Sequence, residues 1–514
     1  MNRVFKVTAP PLRSILIGLL IGLMSLTLPL LRDFHWESAG VASLALAFYA
    51  ALRMGRGSRS GSVFRDGLAI LIGWSAPLIL FTISTGCWSF DGLAFWVSGP
   101  PFSLLFGWSA GRAVRSFGGK WSGSIALLSI AGFAIVPLVV QFFSFPQLYF
   151  YNHIWSYWPG PIYDEVVQFD TRLILFRTIT LLWVLLFWAV PAAGKERVYQ
   201  VISLGSLFAL LFSYAHLSNW GLISPEERIQ QELGMVYESD HFRIFYPAER
   251  SSGRRVEASG QDSRHNDEPD GAGLERTSAA KSIADWAEIH ETHLKEITEE
   301  LGLDLQLYRE TKVHSYIYNS SDQKKRLTGA GRTSFAPVWL SQDQIHIAEE
   351  VLERVLRHEL VHVAAKQFGN RFGASTSIGL VEGLAVALDP GRYGSSVHRL
   401  VAARDPYPDS EELRRLLGAG FYSSAGSVSY LISGSFIRYL IDHYPVERLR
   451  KAYRTGDIEK AYAPYTLEEL TRSWHRYLDS QEPDLVDVER ADALFRTPSI
   501  FEKPCPRVAP GREN

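Results

Sequence analysis

Seven apolar stretches, each close to the length of a membrane-crossing helix, fill the first 220 of this chain's 514 residues. A helix needs about 20 mostly apolar residues to cross a bilayer, because backbone polar groups in hydrocarbon must be satisfied within the chain. The stretches lie near 14–31, 38–52, 67–84, 92–111, 122–143, 173–193 and 198–217. The first reads as a span and not a cleavable signal, since Pro29 and Leu30 follow it where small residues would be expected. Residues 1–220 carry 15 Lys/Arg against 8 Asp/Glu, whereas residues 221–514 carry 37 against 46. An apolar, net-positive half therefore precedes an acidic half of ordinary soluble composition. That division excludes a disordered chain, a single soluble domain and a nucleic-acid binder with a basic face. Two cysteines, Cys87 and Cys505, exclude a Cys-rich zinc finger and a disulfide-stapled scaffold. Two unpaired thiols are the default expectation, and a bridge between them is the alternative.

Basic residues alternate along the loops. Arg3, Lys6 and Arg13 precede the first stretch; Arg53, Arg56, Arg59 and Arg65 follow the second; Arg112, Arg115 and Lys120 follow the fourth; Lys195 and Arg197 follow the sixth. With seven spans, the positive-inside rule puts the N-terminus in the cytoplasm and everything after residue 217 outside. Arg177 reads as an interfacial side chain that snorkels outward. The scarcity of other charges within the spans argues against a transporter. Segment 144–171 crowds Phe145, Tyr149, Phe150, Tyr151, Trp155, Tyr157, Trp158 and Tyr163 around a Trp-Pro-Gly-Pro turn at 158–161. It is either an aromatic belt at headgroup level or a platform for the soluble half or its substrate.

In the second half, 225–235 reads as a short helix. His241–Tyr246, Lys312–Tyr318 and Gln344–Ala348 read as strands, with Ser334–Leu340 extended. A charged helix is expected from about 277 to Gly302, and helices dominate from Glu349 to about 495. Residues 248–275, rich in Ser, Gly and charge, read as a mobile loop, and 497–514 as a Pro-rich tail. The expected organisation is a multi-pass α-helical membrane domain over 1–220, of about seven spans. An α+β domain with a mostly helical C-terminal part follows over 221–496.

One local pattern carries chemistry. In His358-Glu359-Leu360-Val361-His362, on a run without helix breakers, two imidazoles lie one turn apart on a single face. They can share one Zn²⁺, while Glu359 can reach a bound water without binding the metal. A catalytic zinc takes a third protein ligand and keeps one position open. Glu382, in Val-Glu-Gly-Leu-Ala twenty residues on, is a lone carboxylate in an apolar helical stretch, costly to bury unless paired or bound to metal. His290 and His293 also lie at helical spacing, but without an evident third ligand they read as a solvated face. The charges around the motif, Glu349 through Lys366, place this helix in water and not in lipid.

His358, Glu359 and His362 with Glu382 in Glu-Gly-Leu-Ala resemble the gluzincin zinc metallopeptidases, thermolysin-like proteins often called peptidase MA-like domains. The resemblance spans about residues 236–480 and includes Tyr430, Gly434-Ser435-Phe436 and Tyr439-Leu440. It implies one Zn²⁺ per chain held by His358, His362 and Glu382, with Glu359 as general base. Tyr430 becomes the first candidate to stabilise the oxyanion, with Tyr422 and His443 as rivals. It further implies a peptide or protein substrate laid along an edge strand before the active-site helix, and a bacterial cytoplasmic membrane with the domain on its periplasmic side. The pattern departs from the family in places. Ala385 and Val386 stand where many gluzincins have an acidic residue orienting a ligand histidine, leaving Asp389 as a substitute. No Gly-x-Met-Glu-Asn run is present, which disfavours an aminopeptidase. The expectation is a membrane-bound metalloendopeptidase; the rival is a membrane scaffold or receptor whose gluzincin domain binds peptides without cutting them.

Overall fold

The computed structural model describes residues 11–160, 165, 167–248, 282–337, 339, 342–499, 501–503 and 505. The expected mobile loop at 248–275 lies outside the described residues but for Ala248, as does most of the 497–514 tail. The chain divides into two units, one of Met1–Ile162, Val166–Pro225 and Glu502–Ala509, the other of Tyr163–Glu165, Glu226–Phe501 and Pro510–Asn514.

In the first unit, α1 is Leu12–Ser25, α2 Trp36–Gly55, α3 Ser60–Thr85, α4 Phe90–Ser98, α5 Pro100–Ser116, α6 Ser122–Ser144, α7 Arg172–Ala189 and α8 Arg197–Ala215. Among the described residues, five helical stretches are long and apolar enough to cross a membrane: Trp36–Gly55, Ser60–Thr85, Ser122–Ser144, Arg172–Ala192 and Arg197–Ala215. The other two expected spans differ. The first is a 14-residue helix, and the fourth is broken at Gly99-Pro100 into α4 and α5. Helices pack here through missing side chains: a Cβ on Gly73 would lie 2.2 Å from the Ile15 carbonyl oxygen, and one on Gly107 2.2 Å from that of Ala47. Where lipid removes the hydrophobic drive between helices, such backbone contact supplies the packing.

Much of the aromatic segment is packed inside the first unit. Strands β1 (Phe150–Asn152) and β2 (Ser156–Trp158) form a small antiparallel hairpin. Phe150, Asn152, His153, Ile154 and Ser156 are all buried within the first unit. Its hydrogen bonding explains how irregular backbone is tolerated there. Pro137 inside α6 has no N–H for the Phe133 carbonyl. Asn152 Nδ2 donates to that oxygen at 3.0 Å, and Trp155 Nε1 donates to Ala134 O at 3.0 Å. Non-helical backbone at membrane depth survives only when protein buries it in this way. Arg177 does not snorkel. It is 2% exposed and donates to the carbonyls of Ser98, Asn152 and His153. Cys87 and Cys505 form a disulfide, against the default of unpaired thiols.

The second unit carries a four-stranded sheet, β3 (Gly234–Glu238), β4 (Phe242–Pro247), β5 (Val313–Tyr318) and β6 (Gln344–Ala348), in that spatial order. β3 is antiparallel to β4, while β4, β5 and β6 run parallel. Three strands match the sequence reading; β3 was folded into the expected 225–235 helix, which ends at Leu233. An edge strand whose side chains are only half buried leaves a faint signal. The charged helix Ile283–Leu301 starts at a Ser282–Asp285 capping box and stops at Gly302, whose φ of 56° suits glycine. His290 is not on a solvated face. It is fully buried, its ring bonded to Trp286 O at 2.6 Å and Ser315 Oγ at 2.9 Å. Phe335 adds one antiparallel bridge to His346 on the outer side of β6. From Leu352 onward the unit is almost entirely helical.

Candidate metal centre

The active-site helix expected from sequence is Leu352–Ala365. Leu352, Leu356, Leu360 and Val363, at helical spacing, are 2% exposed or less in the core of the second unit. Each such side chain contributes on the order of 1.5–3 kcal/mol of burial. With that face committed inward, His358, Glu359 and His362 fall together on a neighbouring face, and both His358 and Glu359 are 4% exposed.

Glu382 sits in the helix Ile378–Ala387, which Ser377 caps by accepting from Leu380 N at 3.2 Å. This helix runs hard against Gly426–His443, the helix of Tyr430. A Cβ on Gly383 would come within 2.7 Å of Ile437 Cδ1 and 2.8 Å of Ser433 Cβ. The glycine after the ligand thus sets how closely the Glu382 and Tyr430 helices approach. Arg357, next to His358, donates through Nε to Leu388 O and forms an ion pair with Glu296. It ties the histidine helix to the end of the glutamate helix.

The three candidate ligands meet. Glu382 Oε2 lies 3.4 Å from His358 Nε2 and 3.6 Å from His362 Nε2. The two imidazole planes stand at 87° with centroids 4.9 Å apart. Zinc bonds of about 2.0–2.1 Å at tetrahedral angles put ligand atoms about 3.3 Å apart. The residues therefore fit a single tetrahedral zinc with one open position. Among the described residues this is the only group of three His, Cys, Asp or Glu that could hold a metal.

The electrostatics agree. Burial opposes ionisation of Glu382, but the two imidazoles outweigh it and hold the carboxyl well below its usual range. Burial depresses His358, to about 3, whereas at His362 the Glu382 carboxylate overcomes burial and raises the imidazole. Burial pushes the Glu359 carboxyl up to about 7.

The rival candidates separate. Tyr430 lies beside the triad, its ring 6.2 Å from that of His358. The Tyr422 hydroxyl is pushed up to about 12 by burial and by the charge of Glu382. His443 packs instead on Tyr439 and Tyr477. Asp389 does not orient a ligand: its Oδ2 and the Nδ1 of His358 are both buried without a hydrogen-bond partner. The sequence reading missed Arg392, whose guanidinium lies 6.0 Å from the Tyr430 ring and whose charge bears on both Glu359 and His358. Its only sequence signal is a lone cation ten residues after Glu382, too common to single out.

No protein-family model matches the chain, and no curated protein matches it. The likeness that stands is of the site: the His358–His362–Glu382 cluster resembles a gluzincin-type metal-binding triad.

Proposed function

We propose that this chain is a membrane-bound zinc metalloendopeptidase whose active site lies on the extracytoplasmic side of a bacterial cytoplasmic membrane. The observation that carries the reading is the triad itself, three possible ligand atoms within 4.8 Å of one another beside a buried carboxyl that is not one of them. The extracytoplasmic placement rests on the alternation of basic loops.

A zinc ion held by His358, His362 and Glu382 would polarise the scissile carbonyl and lower the pKa of a bound water. The rest falls to side chains of this chain. Glu359, with its proton affinity lifted to near neutrality by burial, accepts a proton from the attacking water and passes it to the leaving amine. Tyr430 and Arg392 supply the positive edge on which the carbonyl oxygen gathers charge. An extended peptide would pair along the segment around Phe335. β6 is not itself the outer edge, because His346 N donates to Phe335 O at 3.0 Å.

The test uses the full-length protein in detergent beside Glu359→Gln, assayed on a mixed peptide library with and without a zinc chelator. Cleavage lost in both the variant and the chelated sample supports the peptidase. Bound zinc without cleavage favours the scaffold that holds peptides, and folded protein without zinc overturns the reading.

A further inference from the structure

Around the buried hairpin of the first unit, three polar groups have nothing to bond among the described residues. Ser43 Oγ on α2, Ser156 Oγ on β2 and Arg177 Nη2 on α7 are each buried without a hydrogen-bond partner. Ser43 and Ser156 lie against Gly99, the break between α4 and α5, and Arg177 bonds to the carbonyl just before it. A Cβ there would lie 2.8 Å from Ser43 Oγ and 3.5 Å from Ser156 Cβ. The carbonyl leading into Gly99, that of Ser98, accepts from Arg177 Nε at 2.7 Å. Ser156 is the one described non-glycine residue with positive φ, at 81°. Its side chain is thus aimed by a backbone conformation that L-residues rarely adopt.

Among the described residues the guanidinium has no counter-charge. Its bonded acceptors are neutral carbonyls, Ser98 O, Asn152 O at 3.3 Å and His153 O at 3.2 Å, and the Phe102 ring lies 5.7 Å away. Of the acidic side chains flanking these helices, Glu37 pairs with His35, Asp91 accepts from the N–H of Phe169 and Asp170 pairs with Arg172. A buried, unpaired cation is costly, and carbonyl dipoles offset only part of that cost. A water would satisfy the hydroxyls but would leave the charge.

We propose that Ser43, Ser156 and Arg177 form a binding site for a small monoanion of halide size, enclosed between the hairpin and α2, α5 and α7. Three N–H and O–H donors around one positive charge suit a single negative charge. Exposures of 0% for Ser43 and 2% for Ser156 and Arg177 exclude a lipid headgroup or a peptide carboxylate. The anion neutralises Arg177 and locks the hairpin into the helices.

The test is thermal unfolding of the full-length protein in neutral detergent. Sodium chloride is titrated against sodium gluconate at constant ionic strength, and bromide-soaked crystals are examined by anomalous scattering. The expected result is a saturable rise in the unfolding midpoint with chloride, absent in Arg177→Gln, and a bromide peak in contact with Nη2. If Arg177→Gln does not fold, the double variant Ser43→Ala/Ser156→Ala keeps the guanidinium clamp and should weaken the halide dependence by about tenfold. A midpoint indifferent to chloride overturns the site. So does a dependence unchanged in the double variant, or only water against Nη2 in the bromide crystals.

Discussion

Two buried polar clusters in this molecule have opposite polarity. In the second unit, lone pairs converge: His358 Nε2, His362 Nε2 and Glu382 Oε2 all point at a spot that wants a cation. In the first, unpartnered donors of Ser43, Ser156 and Arg177 lie around the Ser98–Gly99 break, and we propose that the spot takes an anion. Burial raises the cost of an unmet charge in both places, so the sign of what converges indicates what each can bind. The candidate metal centre rests on two short helices, and its possible ligands are 24 residues apart at most. The anion site draws on residues 43, 156 and 177, placed by a hairpin and a helix break.

Several measurements would break or sharpen that contrast. Glu359→Gln should have the largest effect, lowering peptide hydrolysis by about 10²–10⁴-fold with zinc content unchanged by metal analysis. A parallel loss of zinc would make Glu359 a ligand and not a base. Chelation should lower the unfolding midpoint of the second unit and leave the chloride dependence of the first intact, which a shared ion could not do. Arg392→Met should reduce kcat by about 10–100-fold with little change in KM, because a donor to developing charge acts in the transition state. An effect on KM alone would assign Arg392 to substrate binding.

Smaller effects concern packing and protons. Gly383→Ala should cost about 1–3 kcal/mol by overpacking against Ile437 and Ser433, read as a lowered midpoint in denaturant. Burial raises the Asp389 carboxyl to about 6. The folded protein therefore holds that proton to higher pH than the unfolded chain does. Its contribution to stability is present at acid pH, is lost as pH rises from the ordinary carboxylate range through 6, and stays lost above. Asp389→Asn should accordingly stabilise the protein at pH 8 by about 2 kcal/mol and flatten the pH profile between about 4 and 6. No gain at pH 8 would mean that Arg357 and Arg392 already balance the charge.

The sequence was legible where the chemistry is local. His358 and His362 share a face because a helix repeats every 3.6 residues, and Glu382 betrays itself as a carboxylate among apolar neighbours. Gly302 likewise marked a helix end that the structure places there. Arg392 and Arg357 were not legible, since a cation says nothing of its partner until folding supplies Tyr430 or Leu388. The hairpin's burial was hidden for a related reason. Its aromatic residues suit an interface as well as a core, and only the carbonyls freed beside Pro137 show that Asn152 and Trp155 belong inside. His290 carried the opposite error: a histidine on a charged helix was taken for surface because the strand that buries it, with Ser315, is distant in sequence.

The Cys87–Cys505 bridge has a consequence for how this protein can be cut. The stretch Glu226–Phe501 leaves the first unit at one end and returns to it at the other, where the disulfide fastens the returning strand. A single nick anywhere within it would release nothing. One fragment would stay joined by the peptide chain and the other by two sulfurs, so nicked and intact protein would run together on a gel until a reductant is added. Shedding of the second unit would need two cuts, or one cut and a reducing agent. In an oxidising compartment, a cut by a lone protease would leave the second unit joined to the first.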